Sequence, residues 1–246
     1  MTAIRGARER ARIEVTAAIK DEARRQLAAA GAAKLSLRAV ARELGMVSSA
    51  LYRYFPSRDD LLTALIIDAY DALGEAAEQA LAKAFHDTPV DRWTAVCRAV
   101  RAWALARPHE YGLIYGSPVP GYSAPEATIE PASRVGLALI AVVGDAHATG
   151  VFRVPDEPPA PEAVLRDAGR LRERLGVTLP APLLAETVAA CAQLFGLVNF
   201  ELFGQFNRVV EAREEFFDRA VLRLARGIGL DRCAPAAAGG GDGAGA

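Results

Sequence analysis

Between Gly31 and Pro56 the chain meets one further strong breaker, Gly45, and that spacing leaves room for two short helices. Glycine accepts the left-handed conformation that ends a helix, and proline cannot continue one because it lacks an amide N–H and its ring clashes with the preceding turn. Ser36 can receive the first free amides as an N-cap. Leu37, Val40, Ala41 and Leu44 then share one face of a helix that stops at Gly45. A second helix fits from about Val47 to Phe55, with Leu51 and Phe55 turned to the same interior. Two short helices joined by a glycine turn form a helix-turn-helix, and these apolar side chains fix the angle between them.

Helices are expected on both sides of this unit. Upstream, Ile13, Ala17, Ile19, Ala23 and Leu27 recur at near-helical spacing from about Arg8 to Ala30. Downstream, Ser57 followed by Asp60 reads as a variant capping box opening a long helix from Arg58 to about Phe85. Beyond Pro89, Trp93, Val96, Val100 and Trp103 form one stripe on a helix ended by Pro108. A short helix to Tyr115, an irregular GSPVPGYSAP stretch and a helix from about Glu126 to Ala148 follow. Pro155 to Pro161 is expected as a loop, and Ala163 to Leu175 reads either as a charged surface helix or as a mobile segment. From Pro180, Leu184, Val188, Cys191, Phe195, Val198 and Leu202 alternate four and three apart. The last helix, about Arg208 to Ile228, presents Val210, Phe217, Val221, Leu224 and Ile228. Alanine, the best helix former, supplies much of the apolar content, and β-branched runs between turn residues are scarce. The expected fold is therefore all-α: an N-terminal three-helix domain carrying the helix-turn-helix over 8–58, a helical domain over 59–230 and a low-complexity, disordered tail over 231–246.

A net charge of −1 conceals a polarity. Residues 1–58 hold twelve Lys/Arg against five Asp/Glu, a surplus of +7, which leaves −8 on the remainder. A basic front gains affinity for a polyanion by releasing condensed counterions, and an acidic remainder is repelled by it. Double-stranded DNA is the partner that a helix-turn-helix suits, with the start of the second helix in the major groove. There the chain has Val47 and then the small residues Ser48, Ser49 and Ala50, where bulk would hold the helix away from base edges. Ser36, Arg38, Tyr52, Arg53, Tyr54 and Arg58 can reach phosphate oxygens, and Arg8 and Arg10 lie on what reads as a flexible arm. The competing reading for Tyr52 and Tyr54 is partial burial against the first helix.

Over about residues 8–62 the sequence resembles the N-terminal signature of the TetR family of bacterial transcriptional regulators. Ser36, Arg38, Val40, Ala41, Gly45, Met46, Leu51, Tyr52, Tyr54, Phe55, Ser57, Arg58, Asp59 and Leu61 stand in matching places. Val47 occupies a position where the family often has a capping serine, so the recognition helix is expected to cap through Ser48 and start one residue later. Tyr54 replaces the commoner histidine. The later sequence is similar, more weakly, to a TetR subgroup with a WHG-type C-terminal domain, through WALARPHEYGLIYGSPVPGY and FGLVNFELFGQF, with Cys191, Phe195 and Gly196 near the name-giving positions. The resemblance implies a homodimer held by the last two helices, a ligand cavity in the C-terminal domain, and repression of a palindromic operator relieved by a small molecule.

Leu184, Val188, Val198, Leu202, Phe217, Val221 and Leu224 are the candidates for the subunit seam, although such a pattern serves an internal core equally well. Trp93, Trp103, Tyr111, Tyr115, Phe195 and Phe200 are candidate walls for a small apolar or amphipathic effector, with His147 or Asn199 to orient a polar group. The long helix from Arg58 reads as the only continuous lever from such a cavity to the reader.

An enzyme is disfavoured. Only His86, His109 and His147 are present, and no GxSxG elbow, phosphate-binding loop, dinucleotide fingerprint or HExxH occurs. Cys97, Cys191 and Cys233 lie too far apart for a CxxC site, so no metal or cofactor is expected. The basic start lacks an apolar stretch behind it, and the longest apolar run, Val135 to Val143, is about half of a bilayer span. A cytoplasmic protein without membrane contact is the expectation. The alternative function is a helical interaction or structural protein without sequence-specific DNA binding.

Overall fold

The computed structural model describes residues 2–149 and 160–232, and all regular structure among them is helical. Most of the loop expected at Pro155–Pro161, Cys233 and nearly all of the expected tail lie outside the described residues. Two compact units form. One joins the chain up to Gly74 to Trp103–Ser133, and the other joins Glu75–Ala102 to the described residues from Arg134 onward, so neither unit follows the boundary at residue 58.

In the first unit, α1 (Thr2–Ala30) stops at Gly31, whose φ of 78° is left-handed. Ser36 then caps α2 (Leu37–Glu43), its Oγ accepting the Ala39 amide at 3.4 Å. Gly45, at φ 64°, reverses the chain so that the Met46 amide donates to the Ala41 carbonyl at 2.8 Å. A single α-helical turn follows, α3 (Ser48–Leu51), and tight contacts carry the chain to Phe55, with Tyr54 N–H on Leu51 O at 2.8 Å. This helix is shorter than the sequence suggests: beyond Leu51 the chain tightens into three-residue contacts such as Arg53 N–H on Ala50 O at 3.3 Å, and Pro56 restricts only Phe55. Ile19, Leu27, Leu37, Val40, Leu51, Phe55 and Leu61 bury together as the core of the unit. Ile13 and Ala17 do not join them: α1 begins earlier than expected, and its first turns run clear of that core, leaving Ile13 61% exposed.

The long helix α4 (Arg58–Lys83) opens on the expected cap. Ser57 Oγ accepts the Asp60 amide at 3.1 Å and donates to the Asp60 carboxylate at 2.7 Å. Helix α6 (Pro108–Tyr115) and the stretch after it also belong to this unit. Leu113, Val119 and Tyr122 pack on the N-terminal core, and Tyr122 Oη lies 2.9 Å from Thr63 Oγ1. Asp68 accepts from Lys20 at 2.8 Å and from Arg24 at 2.6 Å, while the Glu110 carboxylate of α6 stands 3.5 Å from Arg24. Helix α6 therefore holds α1 directly.

The second unit contains most of α5 (Pro89–Ala106) and α7 (Ile129–Ala148), together with α8 (Glu162–Leu175), α9 (Ala181–Leu202) and α10 (Arg213–Ile228). The α5 stripe is buried as its spacing predicts. The charged segment before Leu175 is a helix, ended by Gly176 at φ 64° and packed on α9 with Ala168 buried. Helix α10 starts later than Arg208, because Arg208 takes the left-handed φ of 63° and breaks the run, leaving Val210 ahead of the helix. Residues 126–148 and 181–202 are long and apolar enough, by length and composition, to cross a membrane, which counting unbroken apolar runs overlooked. Val135, Leu139, Val142 and Val143 of the first, and Leu183, Leu184, Leu194 and Val198 of the second, are buried within the protein.

Three bidentate guanidinium–carboxylate pairs tie this unit together. Arg101 donates to both oxygens of Glu201 at 2.7 Å, and its guanidinium lies 5.3 Å from the centre of the Phe217 ring. Arg98 holds Asp218, and Arg134 holds Glu78. The Arg101–Glu201 side chains are 17% and 6% exposed, so removing one partner strands a charge in poor solvent. Glu201→Ala is expected to destabilise by about 3–5 kcal/mol in urea titrations, and the double replacement of Arg101 and Glu201 by leucine by much less. Equal losses in the two variants would contradict this account. The hydrogen bonds from Arg98 and Arg134 hold the Asp218 and Glu78 carboxyls below their ordinary values. A depressed folded-state pKa contributes stability that is complete above the unfolded value and lost as pH falls through the folded one. The melting temperature is therefore expected to fall on acidification below about pH 4, and less steeply in Asp218→Asn.

Candidate nucleic-acid interface

The N-terminal core turns one strip of the reader outward. Val47 precedes α3 as its N-cap with 70% exposure and makes no side-chain cap, so the helix starts at Ser48 rather than one residue later. Ser49 and Arg53 are exposed, Ser48 and Ala50 half-buried, and Tyr52 is 40% exposed. Arg38, one turn into α2, is exposed, and neither it nor Arg53 has an ion-pair partner among the described residues. Two free guanidinium groups thus flank a serine-lined helix start.

Other expected contacts are committed elsewhere. Arg58 is half-buried and donates from Nη2 to the Ala32 carbonyl at 2.9 Å, which fastens the turn before α2 to the start of α4. Tyr54 packs on the N-terminal core, as the competing reading held, whereas Tyr52 is the more open of the two tyrosines. Ser36 spends its oxygen lone pair on the cap but keeps a hydroxyl proton to donate. Arg8 and Arg10 lie on α1 rather than on a flexible arm. Sequence reasoning passed over Lys34, which is exposed in the short 3-10 turn just before Ser36 and has no ion-pair partner among the described residues. Its place beside an N-cap on the basic side was the available signal.

In the second unit α9 and α10, joined by a short connection, leave an open groove of about 720 Å³. Ala190, Gly196, Leu197, Phe200, Phe216, Ala220 and Leu224 form its apolar surface, while Glu186, Gln193, Arg219 and Arg223 supply polar groups. Edge-on contacts of Phe206 with Phe200 and Phe216, at 5.6 and 5.4 Å between ring centres, close the end nearest the connection. Of the seam expected from sequence, Leu184, Val198, Phe217 and Val221 are buried inside the protomer, where they hold α9 and α10 to their own neighbours. Val188 is 45% exposed and Leu202 half-buried, and only Leu224 lines the groove. The stripe lining the groove is Glu186, Ala190, Gln193, Leu197 and Phe200, which repeats the same four-three spacing displaced by two residues. Its polar and small members hid it.

The expected cavity residues divide between the units. Trp103, Tyr111 and Tyr115 belong to the first, where Tyr115 stacks with Tyr111 at 5.1 Å and meets Tyr70 edge-on at 5.9 Å. Trp93, His147, Phe195, Asn199 and Phe200 belong to the second; His147 is exposed and Phe200 lines the open groove, so neither encloses a cavity wall. Trp93 Nε1 and Asn199 Oδ1 are buried polar atoms without a hydrogen-bond partner among the described residues. Burial pushes the thiol of the half-buried Cys191 up to about 11 and that of the fully buried Cys97 well above its ordinary value, which disfavours the reactive thiolate in both.

Comparison with known proteins agrees with this geometry. Residues 19–65 match the model for bacterial regulatory proteins of the tetR family, and residues 93–224 match a tetracyclin repressor-like C-terminal domain. The HTH-type transcriptional regulators Rv1816 of Mycobacterium tuberculosis and Mb1846 of Mycobacterium bovis are each 42% identical over 206 residues, covering 82% of this chain and 86% of the relative. The crystal structure of SCO4313 superposes with a TM-score of 0.73 at 36% identity, over 88% of this chain and 97% of that one. The TetR family transcriptional regulator PfmR from Thermus thermophilus shares the fold, with a TM-score of 0.56 at 20% identity, over 85% and 97% of the two chains. A helix-turn-helix with an outward, cationic reader, continued by a matching helical C-terminal domain, makes this chain a member of the TetR family of DNA-binding transcriptional regulators.

Proposed function

We propose that the protein is a ligand-responsive repressor that binds a palindromic operator as a homodimer. The observation that carries this reading is the pairing of an outward reader with an uncovered apolar face. One short α3 buries too little surface to hold a site tightly, and coupling two readers through a second copy raises affinity by making the second contact intramolecular. The exposed surface of Val188, Phe200 and Phe216 beside the α9–α10 groove supports self-association.

In this reading Val47, Ser48, Ser49 and Ala50 face base edges, while Ser36, Arg38, Tyr52 and Arg53, joined by Lys34, hold phosphates. Arg58 and Tyr54 position the reader from within. The effector is a small apolar or amphipathic molecule taken up by the C-terminal domain, and the unpartnered Trp93 Nε1 and Asn199 Oδ1 are polar atoms that it could satisfy. The Glu110–Arg24 contact ties α6 to α1, and the Tyr122–Thr63 contact ties the stretch after α6 to α4, so a shift of α6 would alter the spacing of paired readers.

Genomic fragments selected by the protein are expected to carry inverted repeats whose half-sites lie about 34 Å apart or a multiple of that; enrichment of single, unrepeated sites would argue against paired readers. In gel shifts at graded salt, Arg38→Ala should weaken cognate and random duplexes alike and flatten the log–log slope by about 0.9. Ser49→Ala should chiefly change which base is preferred, with discrimination altered by about 1–3 kcal/mol. A reporter fused to a selected operator should be silenced by the protein and released by an apolar metabolite. Activation on binding would reverse the proposed sign.

A further inference from the structure

We propose that Glu186 of one copy pairs with an α10 arginine of the other, and that this reciprocal contact sets the register of the dimer and selects a second copy of this chain over other partners. The inference rests on the homodimer reading above and adds the residues that decide who docks. Glu186, Arg219 and Arg223 all line the α9–α10 groove and are exposed, and none has a hydrogen-bond or ion-pair partner among the described residues. Their neighbours differ: Asp218 is taken by Arg98, Glu201 by Arg101, and Arg226 lies 3.7 Å from Asp231. The groove therefore offers one acid and two bases with no internal use.

Placement makes the patch self-complementary. Because α9 and α10 are joined by a short connection and pack as an antiparallel pair, Phe200 and Phe216 mark the connected end of the groove and Glu186 and Gly227 the open end. A two-fold axis along the helices sets α9 against α10 of the second copy and brings Glu186 to Arg223. An axis across them exchanges the ends and brings Glu186 towards Arg219 instead. Either closed arrangement satisfies the same charge, and two-fold symmetry makes each contact occur twice. Charges at the rim of an apolar seam act chiefly on partner choice, since a like charge there is penalised more than a matched one is rewarded. Asp218, next to Arg219 in sequence, is engaged by Arg98, and Glu215, one turn before Arg219, is not within ion-pair distance of it.

The test uses the full chain and its sedimentation. Glu186→Arg alone, or Arg219→Glu with Arg223→Glu, should each weaken the dimer at least about tenfold, because two attractive contacts become two repulsive ones. Mixing these two variants, one carrying a mass label, should restore dimers of wild-type strength, with heterodimers far above the half expected from random pairing by native mass spectrometry. Variants that dimerise like wild type, or a mixture that pairs at random, would overturn the inference while leaving the homodimer intact. A wild-type chain that sediments as a monomer at micromolar concentration would remove the homodimer reading and this inference together.

Discussion

Leu51 lies at the point on which the rest of the reader depends. It is fully buried, only three residues after Ser48, so the side chain that anchors α3 and the exposed Ser49 belong to the same helical turn. With so short a helix, orientation cannot come from the helix itself. It comes from Ile19, Leu27, Val40 and Phe55 closing around that anchor, and from two capped entries, Ser36 into α2 and Ser57 into α4. Arg58 completes the frame by grasping the Ala32 carbonyl. Ser48 and Ser49 are thus held by the interior beneath them, beside the exposed guanidinium groups of Arg38 and Arg53.

The second unit solves a different problem. Helices α9 and α10 need enough internal attachment to hold shape while leaving a face uncovered. Buried Leu184, Leu194, Val198, Phe217 and Val221 supply the attachment, and the Arg101–Glu201 and Arg98–Asp218 pairs fasten both helices to α5. Because the acids of those pairs are engaged inward, the charges left in the groove are the ones without internal employment.

Much of this was legible in the residues. Gly31, Gly45, Ser36, Ser57 and Pro56 marked the reader's boundaries because caps and breakers act locally, and the α5 stripe from Trp93 to Trp103 followed from spacing alone. What sequence left ambiguous was which of two apolar faces a helix turns inward. On α9 and α10 both faces carry apolar residues at helical spacing, so the spacing alone does not say which face turns inward. Arg58 shows a second limit: a basic residue at the edge of a DNA reader is equally suited to bind a backbone carbonyl, and only coordinates distinguish the two. The break at Arg208 was invisible because arginine rarely adopts a left-handed conformation.

The packing of α6 and the following stretch onto the N-terminal core has a consequence for how such regulators can be recombined. The part of the chain that behaves as one body with the reader is discontinuous, reaching past α4 to take in Glu110, Leu113 and Tyr122. A chimera spliced at residue 58 would keep the recognition surface but hand Lys20 and Arg24 to unfamiliar neighbours. The transplantable module is a set of segments, and exchanging operator preference between relatives calls for moving the start of α4 and α6 along with α1 to α3.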